Sequence, residues 1–147
     1  MMLYFAYADN MDVDTMAERT VTFEKVCTGR ARDYRLVFQK PAADGSGRAD
    51  LANDRGNVAE GVIWDVPENS LANLDVYEDV EKGHYRRDTI TVQTSRGEMV
   101  CVTYRAAKFR HGLKPTKEYL QTILRGAEMH RLSPDYLTFL RSHDTAQ

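Results

Sequence analysis

An acidic run in the middle of the chain contains the residues best suited to proton transfer. Asp75, Glu78, Asp79 and Glu81 lie close together, shortly before Gly83-His84-Tyr85. Neighbouring carboxylates raise one another's pKa, and a carboxyl group that titrates near neutral pH suits a general acid or base. Asp75 and Glu78 are three residues apart and would share one face of a helix. Taken alone, the run is also typical of a solvated helix end.

A second candidate site is the turn after the opening strand. Leu3-Tyr4-Phe5-Ala6-Tyr7 has the aromatic composition of a β-strand, and Ala8-Asp9-Asn10 ends it with turn-forming residues. Where a strand ends in a tight turn, backbone N–H groups can point outward and bind an anion. An ordinary β-turn explains the same residues, so this pattern by itself leaves the function open.

Composition and charge favour a folded domain that acts on something other than a nucleic acid. Across 147 residues, 42% are hydrophobic and 29% are charged, and the formal net charge is −2. A nucleic-acid-binding protein would normally show a strong basic patch. Arg30, Arg32, Arg35 and Lys40 form only a modestly basic segment, typical of a solvated sheet face. We therefore expect a small-molecule substrate or a protein partner, and no nucleic acid.

Neither a metal nor a cofactor is expected. The four histidines have no metal-ligand spacing to one another or to the cysteines, and phosphate-binding and dinucleotide-binding glycine motifs are absent from the sequence. The histidines are His84, His111, His130 and His143.

The first residues and the cysteines predict a cytoplasmic protein without a membrane partner. The sequence MMLYFAYADN lacks the charged start of a signal peptide, and no segment approaches the roughly 20 apolar residues of a membrane span. Cys27 and Cys101 lie in apolar, strand-like segments and are expected to be reduced and buried, although a disulfide between them stays open.

Strands precede helices along the chain, which predicts one α+β domain over residues 1–147. Asp14, Thr116 and Ser133 are predicted helix caps, and Pro67 is predicted to open a further helix. The predicted strands are 3–7, 21–32, 34–39, 49–51, 57–66, 84–94 and 99–107, with the clearest loop at 41–47. Within the last two, a half-buried face is predicted for Ile90, Val92, Val100, Val102 and Tyr104.

Taken in order, these segments resemble the γ-glutamylcyclotransferase-like family, which includes AIG2-like proteins and γ-glutamylamine cyclotransferases. Residues 4–10, YFAYADN, occupy the place of the family's opening Tyr-Phe-Ala-Tyr-Gly-Ser-Asn. Residues 74–80, LDVYEDV, are similar to the stretch with the family's catalytic glutamate, and residues 83–85 to its Gly-x-Tyr. Residues 31–38 and 60–64, and Tyr119 four residues after Pro115, extend the similarity over nearly the whole chain.

The resemblance implies a fold, a reaction and a set of site residues. The fold would be α+β, with a mixed, mostly antiparallel barrel-like sheet and packed helices. The substrate's α-amine would attack its own γ-glutamyl carbonyl, which releases 5-oxoproline and an amine or amino acid without a cofactor. Glu78 would be the catalytic acid and base. The substrate would be bound by Tyr4, Phe5, Ala6, Tyr7, Ala8, Asp9, Asn10, Tyr85 and Tyr119.

The chain departs from the family pattern where Gly-Ser is replaced by Ala8-Asp9. Three interpretations stay open: Asp9 forms a local turn and leaves the pocket intact, Asp9 recognises a cationic or hydroxylated group on a specialised substrate, or the fold persists without the standard reaction. In the last case the protein would be a ligand-binding or interaction module. The leaving group is also open, and Arg86, Lys108, Arg110 and His111 are candidates to select it. The apolar C-terminal helices could form a homodimer face, although core packing explains them more simply.

Overall fold

Five strands close into a barrel in the computed structural model, which describes residues 2–146. Around the barrel the order is β1, β3, β2, β4, β5, and every neighbouring pair is antiparallel except β1 with β5. The prediction of a mixed, mostly antiparallel barrel is therefore confirmed. The strands are β1 (Met2–Ala6), β2 (Glu24–Pro41), β3 (Gly47–Val66), β4 (Tyr85–Thr94) and β5 (Gly97–Ala106).

Four α-helices and one short 3₁₀ turn surround the barrel. The apolar faces of the last two helices pack inward through Leu120, Ile123, Ala127, Tyr136 and Leu140, all of which are buried. None of the helices within residues 2–146 has the length and apolar character needed to cross a membrane. The 3₁₀ turn is Asp9–Met11, and the helices are α1 (Val13–Arg19), α2 (Glu68–Tyr77), α3 (Lys117–Met129) and α4 (Pro134–Arg141).

The long β2–β3 hairpin corrects the prediction of four shorter strands. Asp33 was expected to end a strand, but β2 continues through it with a register shift between Arg32 and Tyr34. Asp33 has φ of 66°, and its carboxylate accepts a hydrogen bond from the amide of Gly56, whose φ is 90°. The two turn-forming residues therefore make a β-bulge, which bends the hairpin without interrupting it.

The predicted loop at 41–47 is a tight turn between β2 and β3. The Ala42 amide donates to the Ser46 carbonyl over 2.9 Å, and Gly45 adopts φ of 89°. Because β3 begins at Gly47, the next residue, Arg48, lies in a strand rather than in a flexible loop. This placement positions Arg48 at the candidate site described below.

The inward face of β5 differs from the predicted alternation. Ile90 of β4 is buried as expected, but Val100 of β5 is 64% exposed, whereas Cys101 and Thr103 are buried. The Thr103 hydroxyl donates to the Phe5 carbonyl over 2.8 Å, so a polar residue occupies the interior and is satisfied there. Cys101 and Thr103 lie on the opposite face of β5 from Val100 and Tyr104, and Tyr104 is buried as predicted because α2 covers it, with its hydroxyl 3.2 Å from the Leu71 carbonyl.

Helix caps follow the sequence prediction with one exception. Thr116 and Ser133 accept hydrogen bonds from the amides of Tyr119 and Tyr136, as expected for N-terminal caps. The cap of α1 is Asp12 rather than Asp14, because Asp12 accepts from the Thr15 amide. The predicted cap was placed two residues too late.

Candidate active site

A small cavity of about 30 Å³ lies where β1 meets the 3₁₀ turn and the end of α2. It brings together residues from most of the chain because barrel closure places β1, β3 and β5 side by side. Of the residues singled out in the sequence, the following line it: Tyr4, Tyr7, Ala8, Asp9, Asn10, Glu78, Tyr85 and Tyr119.

Phe5 and Ala6 are placed outside the cavity lining. They are 0% and 1% exposed and lie in the hydrophobic core. A Cβ atom added at Gly61 would approach the Ala6 carbonyl oxygen to 2.4 Å and the Phe5 ring to 2.8 Å. Gly61 thus permits the close packing of β1 on β3, and this packing fixes the start of the 3₁₀ turn.

Three lining residues lacked a signal in the sequence: Arg48, Ala49 and Tyr104. They come from β3 and β5, so only strand pairing brings them near the acidic run. Arg86, Lys108, Arg110 and His111, which were candidates for selecting the leaving group, are not among the lining residues.

Glu78 follows the last helical residue of α2, and its amide donates to the Leu74 carbonyl over 2.8 Å. Within residues 2–146, its carboxylate accepts no hydrogen bond from another side chain or amide. Burial raises the pKa of Glu78 to about 7, and the negative charge of Asp9 contributes, although Arg19, Arg48 and Lys40 oppose the rise. A carboxyl group with this pKa can both accept and return a proton near neutral pH.

Asp75 has a different environment from Glu78, although the two lie three residues apart. Its carboxylate accepts hydrogen bonds from Arg87 at 2.6 to 3.0 Å and from the Tyr104 hydroxyl at 2.6 Å. The expectation that neighbours in the acidic run raise the pKa of Glu78 is therefore wrong. The main causes are burial and Asp9, which comes from a distant part of the chain.

Two of the cavity's tyrosines hold the backbone on either side of the Ala49 Cα atom. The Tyr85 hydroxyl donates to the Ala49 carbonyl over 2.7 Å, and the Tyr119 hydroxyl accepts from the Ala49 amide over 3.0 Å. The Tyr4 hydroxyl similarly accepts from the Asn10 side-chain amide over 2.9 Å. Burial raises the pKa of each of these tyrosines, which keeps the hydroxyl groups protonated at neutral pH.

The hydroxyl protons of Tyr4 and Tyr119 remain available to a ligand. In residues 2–146, each of these hydroxyls accepts a hydrogen bond, and neither donates one to a protein acceptor. Both groups lie near Glu78, since its charge contributes to raising the pKa of each. The cavity therefore presents two neutral donors beside one titratable carboxyl group.

The 3₁₀ turn is held from outside the cavity. Trp64 donates from its indole nitrogen to the Asn10 carbonyl over 2.9 Å, and His130 contacts the Met11 carbonyl through Nε2 at 2.8 Å. Asp12 accepts two hydrogen bonds of 2.9 Å from Arg125 of α3. These contacts use the side chains and carbonyls of the turn, and they fix its backbone in place.

The amides at the start of this turn are uncommitted. Those of Met11 and Asp12 donate to the carbonyls of Ala8 and Asp9, but for Ala8, Asp9 and Asn10 no amide donor bond is found within residues 2–146. Because all three residues line the cavity, their backbone can form an anion-binding nest.

Gly126 of α3 allows the helix to lie directly against the turn. A Cβ atom at this position would come within 2.8 Å of the Met11 carbonyl carbon and of the Asp12 nitrogen. Any other residue would push α3 away from the turn or displace the turn itself. The glycine therefore contributes to the position of the uncommitted amides.

Asp9 is paired with the protein's own cations. Its Oδ2 atom lies 2.8 Å from Nη2 of Arg19 and 3.4 Å from Nη2 of Arg48, and both guanidinium groups also donate to the Tyr77 hydroxyl. We call Asp9, Arg19, Arg48 and Tyr77 the Asp9 cluster. In residues 2–146, the Asp9 carboxylate accepts from these arginines and not from a following amide, so the interpretation of a local Asp9 turn is wrong.

A second, larger groove of about 830 Å³ lies elsewhere on the barrel, between β2, β3, the β4–β5 turn and α4. Glu60 is the buried carboxylate in its lining, and it accepts from the amide and hydroxyl of Ser133 at 2.9 and 2.6 Å. This carboxylate is occupied in capping α4, in contrast to that of Glu78. The smaller cavity is therefore the better candidate for chemistry despite its size.

Comparison with known proteins identifies relatives across almost the whole chain. A γ-glutamylcyclotransferase of Bos taurus is 29% identical over 146 residues, which cover 95% of this chain and 77% of the relative. A Homo sapiens γ-glutamylcyclotransferase is 27% identical with the same coverage. A solved structure of a γ-glutamyl cyclotransferase superposes with a TM-score of 0.93 at 25% identity, and covers 99% of this chain and 89% of that one.

A family model extends these similarities to a definite assignment. The model of the AIG2-like family matches residues 58–140, more than half of the chain. The matched segment contains Glu78, Tyr85 and Tyr119, whereas the 3₁₀ turn lies before it. The chain therefore belongs to the AIG2-like family.

Proposed function

We propose that this protein is a γ-glutamyl cyclotransferase that converts a γ-glutamyl amide into 5-oxoproline and a free amine or amino acid. The observation that carries the proposal is the unpaired carboxyl group of Glu78, with a pKa of about 7, in a cavity lined by tyrosines and uncommitted amides. The named relatives, which are γ-glutamylcyclotransferases, support the same reaction class.

Substrate binding begins with the γ-glutamyl half. The amides of Ala8, Asp9 and Asn10 are suited to bind its α-carboxylate or to stabilise the oxyanion formed at its γ-carbonyl. The hydroxyls of Tyr4 and Tyr119 can donate to the same groups or orient Glu78. Folding the substrate so that its own amine approaches its γ-carbonyl supplies much of the rate, because the attack is intramolecular.

Proton transfer is the role of Glu78. Its carboxylate removes a proton from the α-ammonium group, and the freed amine then attacks the γ-carbonyl carbon and forms the new carbon–nitrogen bond. As the old amide bond breaks, the leaving nitrogen must be protonated. The lactam nitrogen retains one of the three ammonium hydrogens, and the leaving amine receives the other two. Glu78 can carry both in turn because its pKa lies near neutrality.

The cavity must open to admit a substrate. Its volume of about 30 Å³ is close to that of a single water molecule. The Asp9 cluster lies beside the cavity, and Tyr77 and Arg48 are partly exposed there. We expect the side chains of this cluster to move when the substrate binds, as lids and loops do in many enzymes.

The proposal is tested by incubating the purified protein with γ-glutamyl amino acids, γ-glutamyl amines and γ-glutamyl-ε-lysine. 5-Oxoproline is detected by mass spectrometry. Release should depend on Glu78 and disappear in Glu78→Gln. Glu81→Gln is the matched control, because Glu81 belongs to the same acidic run and is exposed. A folded protein that binds these compounds but releases no 5-oxoproline would instead favour the ligand-binding interpretation.

A further inference from the structure

Arg48 is the more exposed arginine of the Asp9 cluster, and two of its donor atoms are uncommitted within residues 2–146. Its Nη2 atom donates to Asp9 over 3.4 Å and to the Tyr77 hydroxyl over 3.2 Å. In residues 2–146, its Nε and Nη1 atoms have no hydrogen-bond acceptor. Arg19, by contrast, donates from Nη1 to Asn10 and from Nη2 to Asp9 at 2.8 Å.

Two guanidinium groups share one carboxylate at this side of the cavity. One Asp9 carboxylate faces two guanidinium groups, and Arg19 takes the shorter contact. The ammonium group of Lys40 lies nearby, 5.7 Å from the centre of the Tyr85 ring; burial lowers its pKa, the charge of Arg48 adds to this effect, and Glu78 and Asp79 oppose it. An additional anion would relieve this repulsion between cations.

Arg48 lies toward the outside of the cavity. Its side chain is 32% exposed, whereas that of Arg19 is 12% exposed. Its guanidinium carbon is stacked over the Tyr119 ring, 4.1 Å from the ring centre, which fixes the plane of the group. Tyr4 and Tyr7, at the other side of the cavity, are almost fully buried.

This arrangement has a consequence for the substrate, given the function proposed above. The γ-glutamyl half must reach Glu78 and the uncommitted amides, so the leaving group extends toward solvent past Arg48. An α-amino acid leaving group has a carboxylate two bonds from the nitrogen at which the amide is cleaved. The parallel Nη1 and Nη2 donors of Arg48 are suited to bind such a carboxylate in a bidentate way, because Nη1 is free and Nη2 makes only long contacts of 3.4 and 3.2 Å to Asp9 and Tyr77.

We propose that Arg48 is a specificity-determining residue that binds the carboxylate of the leaving group. In the free protein, Asp9 and Tyr77 hold the guanidinium group loosely through Nη2, and the substrate carboxylate binds the free Nη1 donor and displaces these contacts from Nη2. Substrates that release an amino acid are therefore preferred to those that release a simple amine. No motif in the sequence indicated a role for Arg48 in the site.

A pair of substrates that differ only in this carboxylate tests the proposal. γ-Glutamylalanine and γ-glutamylethylamine have the same leaving group except for the carboxylate. Arg48→Met, which retains an apolar side chain against Tyr119, should lower kcat/KM for γ-glutamylalanine by about 10- to 100-fold, the usual effect of losing a charge-assisted hydrogen-bonded pair. The value for γ-glutamylethylamine should be nearly unchanged. Arg48→Lys should lie between the wild type and Arg48→Met.

Arg35→Met is the matched control, because Arg35 is an arginine of the same barrel that is paired with Asp54 at 3.1 Å and does not line the cavity. Equal losses for both substrates in Arg48→Met would overturn the proposal, since Arg48 would then act on the shared γ-glutamyl half or on the fold. Unchanged values of kcat/KM for both substrates in Arg48→Met would overturn it as well.

Calorimetry separates this proposal from the proposed function. Binding of both compounds is measured in Glu78→Gln and in Glu78→Gln with Arg48→Met, where turnover plays no part. The preference for γ-glutamylalanine should be present in the first protein and lost in the second. If the wild type released no 5-oxoproline but this preference persisted, the reaction would be wrong and the role of Arg48 would stand. If the first protein showed no preference, the role of Arg48 would be wrong whatever the reaction.

Discussion

Two sides of the same helical turn contain carboxylates with opposite surroundings. Asp75 faces β4 and β5, where Arg87 and the Tyr104 hydroxyl bind both of its oxygens. Glu78 faces the cavity, where no side chain or amide of residues 2–146 donates to it. The residue types are nearly the same, so the supply of donors decides that Asp75 is bound within the fold and that Glu78 is left free for the proton transfer proposed above.

The lack of donors around Glu78 also has a free-energy cost. A largely desolvated carboxylate that accepts no hydrogen bond within residues 2–146 is costly in its charged form, which is why desolvation raises the pKa of Glu78 from 4.5 to about 7 even though the residue is only partly buried. The same lack of partners that destabilises the charged form makes the group an effective proton carrier near neutral pH. The site therefore retains a local cost in stability as a condition of its chemistry.

The largest expected effect is on catalysis. Glu78→Gln should reduce kcat/KM by about 10²- to 10⁴-fold, since an amide cannot carry the proton. Asp75→Asn should reduce it far less, because the Asp75 carboxylate does not line the cavity. Steady-state release of 5-oxoproline measures both. Comparable losses in the two variants, with both proteins folded, would remove the distinction between the two sides of the turn.

The second-largest expected effect is a pH-dependent change in the free energy of unfolding of Glu78→Gln. The folded-state pKa of Glu78 is above its unfolded value, so its contribution is favourable below pH 4.5 and is lost as the pH rises through about 7. Glu78→Gln should therefore be more stable than the wild type at pH 8, by about 2 kcal/mol after allowance for solvent screening. The difference should vanish near pH 4. Urea unfolding at both pH values measures it, and a variant that is less stable at pH 8 would contradict the raised pKa.

Unlike Glu78→Gln, the Asp75→Asn variant is expected to be less stable than the wild type. Asp75→Asn removes the charge from a carboxylate that binds Arg87, and should lower the free energy of unfolding by about 1–2 kcal/mol at pH 7. Arg87 and Asp75 are both partly exposed, so the loss should lie in the lower part of the range for charged pairs. Denaturant unfolding gives the value. Glu81→Gln, at an exposed carboxylate for which no hydrogen bond or ion pair is found within residues 2–146, serves as a surface control.

The smallest effect concerns Asp9. Its charge contributes to the raised pKa of Glu78, so Asp9→Asn should move the acidic limb of the kcat/KM profile to lower pH, by about one unit or less. The freed Arg19 and Arg48 act in the same direction, since both already lower that pKa. Asp9→Ser should shift the limb in the same sense. A limb that stays in place in both variants would show that Asp9 does not influence Glu78.

The sequence predicted those parts of the candidate site and fold that depend on residues close together in the chain. Glu78 and Tyr85 were identified from one short stretch and its resemblance to a family, and the caps at Thr116 and Ser133 follow from hydrogen bonds within a few residues. The mixed barrel was also predicted. These features need only nearby residues, or an ordered set of motifs, to be recognised.

The remainder depended on contacts between distant segments. Asp33 and Gly56 have turn-forming chemistry, but pairing between β2 and β3 turns them into a bulge rather than strand ends. The sequence left the role of Asp9 open, because its pairing with Arg19 and Arg48 depends on the positions of α1 and β3. Neither local composition nor spacing reports which strands become neighbours when a barrel closes.

The order of the strands also determines when the site can exist. During synthesis β1 emerges before its neighbours β3 and β5; of the groups that hold the 3₁₀ turn, Trp64 comes with β3, and Gly126 and His130 come after β5. Until the chain has been made through α3, the amides of the turn have no fixed position and Glu78 has no cavity to bury it. The reactive carboxyl group is therefore created by the last steps of folding, and a nascent chain has only an ordinary, solvated glutamate.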